Sequence, residues 1–334
     1  MLKMRVSVVV PVKNGEAFIG ELLESLLNQE EKPYEIIVVD DGSTDRTVEV
    51  VKKYPVKLLF TDGSRGANAG RNIGLKNASG DIVAFIDADC AAPPEWIKTI
   101  CEELREGTAV CVGGSAFLNP KLKGNIIAEY SNDAFFAPMP TFKKRDFITR
   151  ENLISKRLPN SNNMAVVREV LVKEGLWFDE GFKGGAEEIE ILWRLLEKGY
   201  KILVSNKLYV YHYHRSSLRK LLKQVHNYGR GLYWFFRKHK SSPIGLIPAT
   251  AILTFYTLFF ILSLLSALTG IKLVLYFLLI TIALPVSLLF FYYRLYKHLS
   301  LKKTLLYPFF DILLELSYSL GFVREFIVDI FRRR

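Results

Sequence analysis

Short apolar runs alternate along the N-terminal part of the chain with segments in which apolar residues recur every three or four positions. The runs are typical of buried strands, and the longer repeat is typical of helices that pack through one face. The predicted strands are 6–10, 35–39, 56–60 and 81–86, with Pro11 ending the first, and the predicted helices are 18–27, 45–53, 68–76 and 93–104. This alternation predicts an α/β domain with a mostly parallel central sheet flanked by helices.

Two further apolar stretches are much longer than a strand. Residues 244–268 and 273–293 carry no charge, and each exceeds the roughly 20 residues that a helix needs to cross a bilayer. The short connection between them predicts a transmembrane hairpin. A third stretch, 304–323, is interrupted by Asp311 and Glu315. It is either an amphipathic helix in the membrane interface, which we favour, or a third span.

Charge is distributed unevenly along the chain, whose formal net charge is +11. Residues 1–210 hold 28 basic and 30 acidic side chains, whereas residues 211–334 hold 17 basic and 4 acidic ones. The excess flanks the apolar stretches, so the positive-inside rule puts both ends of the hairpin in the cytoplasm. Apolar residues at helical spacing within 215–242 predict either a basic helix lying on anionic lipid or a helix packed on the soluble domain. The nearly neutral first part argues against a nucleic-acid partner.

The N-terminal residues and the cysteines bear on the localisation of the protein. We expect no signal peptide, because residues 1–5 lead directly into the first strand. The three cysteines are too few for a disulfide framework and favour a reducing compartment. We therefore expect an integral membrane protein with its first domain on the cytoplasmic face. The predicted parts are a globular domain 1–214, a juxtamembrane helix 215–242, a hairpin 243–294 and an interfacial or third transmembrane segment 299–334.

Polar residues follow the predicted strands at their carboxyl ends, where ligands bind in parallel α/β sheets. Lys13–Glu16 follows the first strand, Asp40–Asp41 the second and Asp87–Asp89 the fourth. A glycine-rich segment, 63–72, contains Arg71 and is suited to cover a phosphate. The sequence has no G-x-G-x-x-G after the first strand and no G-x-x-x-x-G-K-[ST], which argues against a dinucleotide-binding Rossmann fold and against a P-loop.

The Asp-x-Asp after the fourth strand is the most informative of these motifs. Two carboxylates at a strand end can hold Mg²⁺ or Mn²⁺, which in turn binds substrate phosphates. The alternative is that Asp87 and Asp89 cap the following helix. Asp41 and the basic glycine-rich segment favour the metal and phosphate interpretation.

Taken together, these motifs resemble the family 2 glycosyltransferases of the GT-A fold. The resemblance covers roughly residues 5–215 and rests on VSVVVPVKNGE, EIIVVDDGSTDRT and GANAGRNIGLKNASGDIVAFIDADC. It implies that the domain binds a UDP- or GDP-linked sugar together with Mn²⁺ or Mg²⁺. The residues implied for this site are Pro11, Lys13, Gly15 and Glu16 around the base, Asp41 at the base or ribose, Arg71 at the ribose or phosphates, and Asp87, Ala88 and Asp89 at the diphosphate and metal, with Asp89 the more direct metal ligand.

The same resemblance implies inverting sugar transfer with a carboxylate as general base. The family carries this base in an acid–Asp pair at a helix start, and the pair here is Glu187–Glu188, with Glu in place of the usual Asp. Glu188 is the first candidate and Glu187 the second; the alternative is that both serve only the helix N-terminus. His212 and His214, on a later predicted strand, are candidate metal or pyrophosphate ligands. We expect them to point to opposite faces, so that only one reaches the site.

The predicted activity is metal-dependent transfer of a sugar to a hydroxyl of a membrane-associated, lipid-linked acceptor. Gln224, Arg230 and Trp234 do not match the Gln-x-x-Arg-Trp motif of processive polysaccharide synthases, which favours the addition of a single sugar. Two alternatives remain open. One is a polyprenyl-phosphate glycosyltransferase of the dolichol-phosphate type, whose ionised acceptor needs no base. The other is a non-catalytic membrane protein that binds nucleotide sugars.

Overall fold

A computed structural model describes residues 4–134, 137–182, 184–185, 187–269, 275 and 295–332. The chain divides into two compact units. The first unit comprises Met1–Asn132, Pro138–Phe182 and Ala186–His214, and the second comprises Asp133–Ala137, Lys183–Gly185 and Arg215–Arg334.

Strands and helices alternate through the first unit and give way to long helices in the second. The strands are β1 Val6–Val12, β2 Glu35–Asp40, β3 Lys57–Phe60, β4 Ile82–Ile86, β5 Cys90–Ala91, β6 Cys111–Leu118, β7 Asp146–Ile148, β8 Asn163–Val167 and β9 Ile202–His212. The helices are α1 Ile19–Leu27, α2 Thr47–Val51, α3 Ala67–Asn77, α4 Trp96–Leu104, α5 Ile126–Asp133, α6 Arg168–Lys173, α7 Glu187–Glu197, α8 Leu218–Lys238, α9 Pro243–Thr269 and α10 Leu301–Arg332.

The nine strands form one sheet in the order β3-β2-β1-β4-β8-β6-β9-β5, with β7 also paired to β9. Strands β1 to β4 run parallel, as predicted for strands joined by helices. Strand β8 then pairs antiparallel with both β4 and β6, so the second half of the sheet is mixed. The prediction of an α/β domain is confirmed. The antiparallel strand β8, inserted between β4 and β6, was not predicted.

Strand β1 continues past its predicted end at Pro11. Pro11 pairs with Val39 of β2, whereas the ladder between β1 and β4 stops at Val9 opposite Phe85. Successive residues of a strand direct their backbone N–H and C=O groups to opposite neighbouring strands. Pro11 lies two residues after Val9, so both direct these groups towards β4. The N–H that proline lacks is thus one that would have no ladder partner, and the strand tolerates the proline there.

Helices α1 and α4 pack on the sheet in one apolar core. Burial of each large aliphatic side chain contributes about 1.5–3 kcal/mol, so this packing fixes the helices and the strand ends next to them. The fully buried members from the two helices and the adjoining strands include Leu22, Leu23, Leu26, Ile100, Val8, Val10, Ala84 and Ile86. Continuous apolar runs made the strands of this half predictable, and apolar residues at every third or fourth position made its helices predictable.

In the second unit, α8 and α10 touch backbone to backbone. A Cβ on Gly229 would lie 1.8 Å from the carbonyl oxygen of Tyr318, and one on Gly321 would lie 2.0 Å from that of His226. Real Cβ atoms do not approach so closely, so any side chain at either position would push the helices apart. These glycines therefore set the distance between α8 and α10.

Acidic residues of α10 pair with basic residues of α8. Arg230 Nε lies 2.6 Å from Glu325 Oε1, and Arg237 Nη1 lies 2.5 Å from Asp329 Oδ1. Tyr233 also donates a hydrogen bond of 2.6 Å to Asp329. The C-terminal acids of α10 are therefore neutralised by the neighbouring helix.

Two helices in the described part of the chain are long and apolar enough to cross a membrane: α9, with a mean hydropathy of 2.2, and α10, with 1.3. The most apolar window of α9 contains no buried residue, whereas 39% of that of α10 is buried. Helix α9 contains the predicted span 244–268. The second predicted span, 273–293, lies outside the described residues except for Leu275.

Candidate active site

Arg71 lies at the centre of a group of acidic side chains. It extends from α3 and is only 2% exposed. Its Nη2 donates to Asp87 Oδ1 at 3.0 Å, and its Nη1 donates to Glu187 Oε1 at 2.9 Å. Burial alone would lower the pKa of Arg71, but the charges of the two carboxylates outweigh it and hold that pKa above its usual value. The charged arginine therefore ties the Asp-x-Asp motif to the acid pair of α7.

The two glutamates at the start of α7 have different surroundings. Glu187 is bound by Arg71, whereas Glu188 is buried, and burial together with the charge of Glu187 raises the pKa of Glu188 to about 8. A carboxyl with a pKa near neutrality can accept and release a proton at physiological pH. Glu190 is fully buried and lies 3.2 Å from Arg194 one turn further along α7, which suits a structural role.

Asp89 faces a histidine from β9. Its Oδ1 lies 3.3 Å from Nε2 of His212, because β5 pairs antiparallel with β9 and sets Cys90 opposite His212. Ligand atoms of Asp89, Cys90 and His212 all lie within 4.8 Å of one another. The carboxylate suits Mg²⁺ or Mn²⁺, and the imidazole favours a transition metal over Mg²⁺. Helix α4 has Glu95 as its N-cap residue, so the alternative that the two aspartates cap this helix is wrong.

His212 and His214 lie side by side, each 3% exposed. Their Nδ1 atoms are 2.8 Å apart and their ring centroids 5.0 Å apart. The expectation that they point to opposite faces is wrong, because side chains two residues apart in an extended chain share a face. Tyr213, between them, points away and donates a 2.7 Å hydrogen bond to Glu21. His212 contacts Asp89, and His214 contacts the far side of the His212 ring.

The carboxylate of Asp41 organises the glycine-rich loop. Its Oδ1 accepts hydrogen bonds from the backbone N–H of Arg65 at 2.7 Å and from the Thr61 hydroxyl at 2.8 Å. Its Oδ2 accepts a hydrogen bond from the backbone N–H of Gly66 at 2.9 Å. Asp41 is buried. The structure therefore places this predicted base or ribose contact beneath the loop that leads into α3.

The segment after β1 lies at the same edge of the sheet and holds three of the predicted base-pocket residues, Lys13, Gly15 and Glu16, whereas Pro11 lies within β1. A Cβ on Gly15 would lie 3.6 Å from the Cβ of Ala88, inside the Asp-x-Asp motif. Lys13 donates a hydrogen bond to the Ser64 hydroxyl in the glycine-rich loop. The carboxylate of Glu16 accepts a 2.7 Å hydrogen bond from the N-cap residue of α2. The ends of β1, β2 and β4 are thus brought together.

Phe178 and Cys90 lie beside the candidate site residues although neither was predicted to belong to the site. The Phe178 ring centroid lies 5.5 Å from the guanidinium carbon of Arg71. Its backbone is fixed by Asn72, whose carboxamide accepts from the N–H at 2.9 Å and donates to the C=O at 2.8 Å. A large aromatic residue in a polar, glycine-rich segment was a usable signal, because such a ring needs a packing partner. Cys90, next to the Asp-x-Asp, offered no comparable signal.

Two family profiles match the sequence. Glycosyl transferase family 2 matches residues 7–156, and Glycosyl transferase family group 2 matches residues 82–294. The second match alone covers more than half of the chain. Both include the Asp-x-Asp segment.

Two curated relatives are similar over different lengths. An uncharacterized glycosyltransferase of Haemophilus influenzae is 42% identical over 150 residues, which cover 43% of this chain and 56% of that protein. The dolichyl N-acetyl-alpha-D-glucosaminyl phosphate 3-beta-D-2,3-diacetamido-2,3-dideoxy-beta-D-glucuronosyltransferase of Methanococcus voltae is 26% identical over 289 residues, which cover 83% of this chain and 85% of that protein. The chain thus spans little more than half of the first relative and most of the second.

Two solved structures share the architecture. TarS 1-349 of S. aureus has a TM-score of 0.52 at 24% identity, over 72% of this chain and 73% of that one. The mannosyltransferase PcManGT of Pyrobaculum calidifontis, solved with GDP-Man and Mn²⁺, has a TM-score of 0.62 at 18% identity, over 97% of this chain and 88% of that one. At these identities the likeness establishes a shared fold.

Proposed function

Since this chain belongs to glycosyl transferase family 2 and is a glycosyltransferase with the GT-A fold, we propose that it is a metal-dependent inverting enzyme. It moves a sugar from a UDP- or GDP-linked donor to a hydroxyl of a membrane-associated, lipid-linked acceptor. The observation that carries this proposal is the group in which Arg71 joins Asp87 to Glu187, with the buried Glu188 beside them. Family membership also disfavours the alternative of a non-catalytic binding protein.

The charges of the group indicate why a cation belongs there. Four carboxyl groups lie in this group, those of Asp87, Asp89, Glu187 and Glu188, whereas the one guanidinium, that of Arg71, pairs with Asp87 and Glu187. An excess of negative charge would repel a nucleotide diphosphate unless a divalent cation compensated it. Asp89 and His212 fit such a cation and would hold it, and when bound it neutralises charge on the leaving diphosphate.

The chemical step is a single displacement at the anomeric carbon. The bond from that carbon to the diphosphate oxygen breaks while a bond to the acceptor oxygen forms on the opposite face of the sugar. The acceptor proton passes to ionised Glu188, and the nucleoside diphosphate leaves with the electron pair. Arg71 fixes Glu187 and thereby the first turn of α7, which carries Glu188. Such positioning matters, because a misplacement of about 1 Å can cost two orders of magnitude in rate.

We propose that α9 crosses the membrane and that α8 and α10 lie together along the bilayer surface. Helix α8 carries six Lys and Arg within 21 residues and is unsuited to cross a bilayer. Helix α10 is held beside it by glycine contacts and two ion pairs, so its C-terminal half lies at the same depth. We therefore favour the interfacial position over a third span for α10. Its exposed apolar stripe faces the acyl chains and includes Leu305, Phe309, Ile312, Leu316 and Leu320.

A lipid-linked acceptor fits this attachment. The relative from Methanococcus voltae, which spans nearly the same length, is named for a dolichyl-linked sugar phosphate. An enzyme held at the bilayer surface can reach such an acceptor while the lipid part of the acceptor stays in the bilayer. The basic residues of α8 support, by the positive-inside rule, the proposal that the catalytic unit faces the cytoplasm.

The decisive experiment replaces Glu188 by Gln in the purified full-length protein. Donor-dependent transfer to a lipid-linked sugar is measured with Mn²⁺ present, after a screen of UDP- and GDP-sugars identifies the donor. We expect kcat to fall by about 100-fold or more, because removing a general base costs that much. Glu197→Gln, on the exposed end of the same helix, is the matched control and leaves kcat unchanged.

A second candidate function is transfer to a polyprenyl phosphate. It is favoured by the dolichol-phosphate mannosyltransferase of Pyrococcus furiosus, which is 37% identical over 115 residues, 33% of this chain. A phosphate acceptor is already ionised and needs no base. Undiminished transfer to dolichyl or polyprenyl phosphate by Glu188→Gln would therefore favour this function over the hydroxyl acceptor.

A further inference from the structure

We propose that His214 is a positioning residue that holds the ring of His212 in the orientation and protonation form in which its Nε2 can bind the metal. This inference rests on the metal-dependent function proposed above. It assigns different roles to the two histidines, both of which were candidate metal or pyrophosphate ligands.

The geometry separates the two rings. His212 directs Nε2 towards Asp89 Oδ1 at 3.3 Å and Nδ1 towards His214 at 2.8 Å. Nε2 of His212 thus faces the carboxylate of Asp89, and Nδ1 of His212 faces His214. The backbone fixes the arrangement, because the N–H of Tyr213 donates to the carbonyl of Asp89 at 2.9 Å and that of His214 donates to the carbonyl of His212 at 3.0 Å.

The short contact between the two Nδ1 atoms requires one proton between them, since two lone pairs or two N–H groups would repel. If His214 supplies the proton, Nε2 of a neutral His212 carries a hydrogen and has no lone pair for a metal. If His212 supplies it, His212 Nε2 carries the lone pair and His214 Nδ1 is the acceptor. Ligating histidines generally donate their other N–H in this way, and loss of the acceptor typically costs 10- to 100-fold in metal affinity.

Two amide substitutions at position 214 test this role. The Oδ1 of Asn is attached to Cγ, as is the Nδ1 of His, so His214→Asn keeps an acceptor in place for His212. The amide of Gln lies one carbon further out, so His214→Gln removes the acceptor from that place. If His214 instead bound the metal itself through Nε2, Gln would be the better replacement. The pair therefore separates positioning from direct ligation.

The experiment titrates Mn²⁺ into the purified full-length protein and follows free Mn²⁺ by electron paramagnetic resonance. Thermal melts without metal confirm that each variant is folded. We expect His212→Ala to lose Mn²⁺ binding, His214→Ala and His214→Gln to raise the Kd by about 10- to 100-fold, and His214→Asn to stay within a few-fold of the wild type.

Three other outcomes would contradict the proposed role of His214 or the metal site itself. A Kd unchanged in His214→Ala overturns the positioning role but leaves the metal site intact. Rescue by Gln rather than Asn also overturns it, because His214 would then be a ligand. Failure of the wild-type protein to bind Mn²⁺ would instead overturn the metal dependence in the proposed function, and the role of His214 with it.

Discussion

Replacing Glu188 by Gln is expected to stabilise the folded protein while it removes activity. Burial and the neighbouring Glu187 raise the pKa of Glu188 to about 8, against an ordinary value of 4.5. Between these two pH values the unfolded chain releases this proton and the folded chain keeps it. The free energy of unfolding therefore falls as the pH rises, by about 1.36 kcal/mol per pH unit.

The size of the effect follows from this interval. At pH 7 the unfavourable contribution of Glu188 reaches about 3 kcal/mol, and above pH 8 it levels off near about 5 kcal/mol. Gln stays neutral at every pH and carries none of this cost. The advantage of Glu188→Gln over the wild type should therefore be small at pH 5, grow steadily to pH 8 and stay constant beyond it.

The assay is thermal unfolding in detergent, followed by intrinsic fluorescence at pH 5, 6, 7 and 8 with a chelator present. For a unit of 150–250 residues, about 3 kcal/mol corresponds to a rise in Tm of roughly 6–12 °C. Glu197→Gln on the exposed end of α7 is the control, and its difference in Tm from the wild type should not depend on pH. A Tm difference for Glu188→Gln that stays flat from pH 5 to pH 8 would refute the reasoning, because Glu188 would then ionise as an ordinary carboxyl does.

Three further predictions concern other parts of the molecule. Arg71→Lys cannot bridge Asp87 and Glu187 at once, so we expect kcat to fall by about 100-fold in steady-state assays, and an unchanged kcat would contradict the bridging role. Gly229→Ala would drive a Cβ into the carbonyl of Tyr318, so a lower Tm is expected, and a wild-type Tm would disprove the close helix contact. Removal of metal by EDTA should abolish transfer, with Mn²⁺ restoring it better than Mg²⁺; transfer that persists in EDTA would exclude metal dependence.

The local parts of the fold were predictable because each is encoded within a few neighbouring residues. The apolar runs gave β1 to β4, and the carboxyl ends of these strands gave the positions of Asp41 and Asp87. The end of β1 was predicted wrongly because a neighbouring strand decides it. Whether β1 passes through Pro11 depends on where the ladder to β4 stops, and no local pattern records that.

The contacts between distant segments were not predictable from the sequence. Glu187 lies 116 residues beyond Arg71, and nothing in either segment indicates that their side chains meet. The fold brings α3, which carries Arg71, next to the start of α7, which carries Glu187. Sequence motifs therefore pointed to most of the side chains that the structure brings together in the candidate site, whereas the contacts between these side chains could be learned only from the three-dimensional structure.

Asp41 accepts hydrogen bonds within the protein and can still accept one from a ligand. A carboxylate offers about four acceptor positions, and the hydrogen bonds from Thr61, Arg65 and Gly66 use three of them. One position is left for a hydroxyl or N–H of the nucleotide. The same carboxylate accepts hydrogen bonds from the backbone of the glycine-rich loop. A nucleotide bound to Asp41 would therefore contact a side chain whose position depends on that loop. The proposed role of Asp41 in donor binding would therefore link loop conformation to donor affinity through one buried side chain.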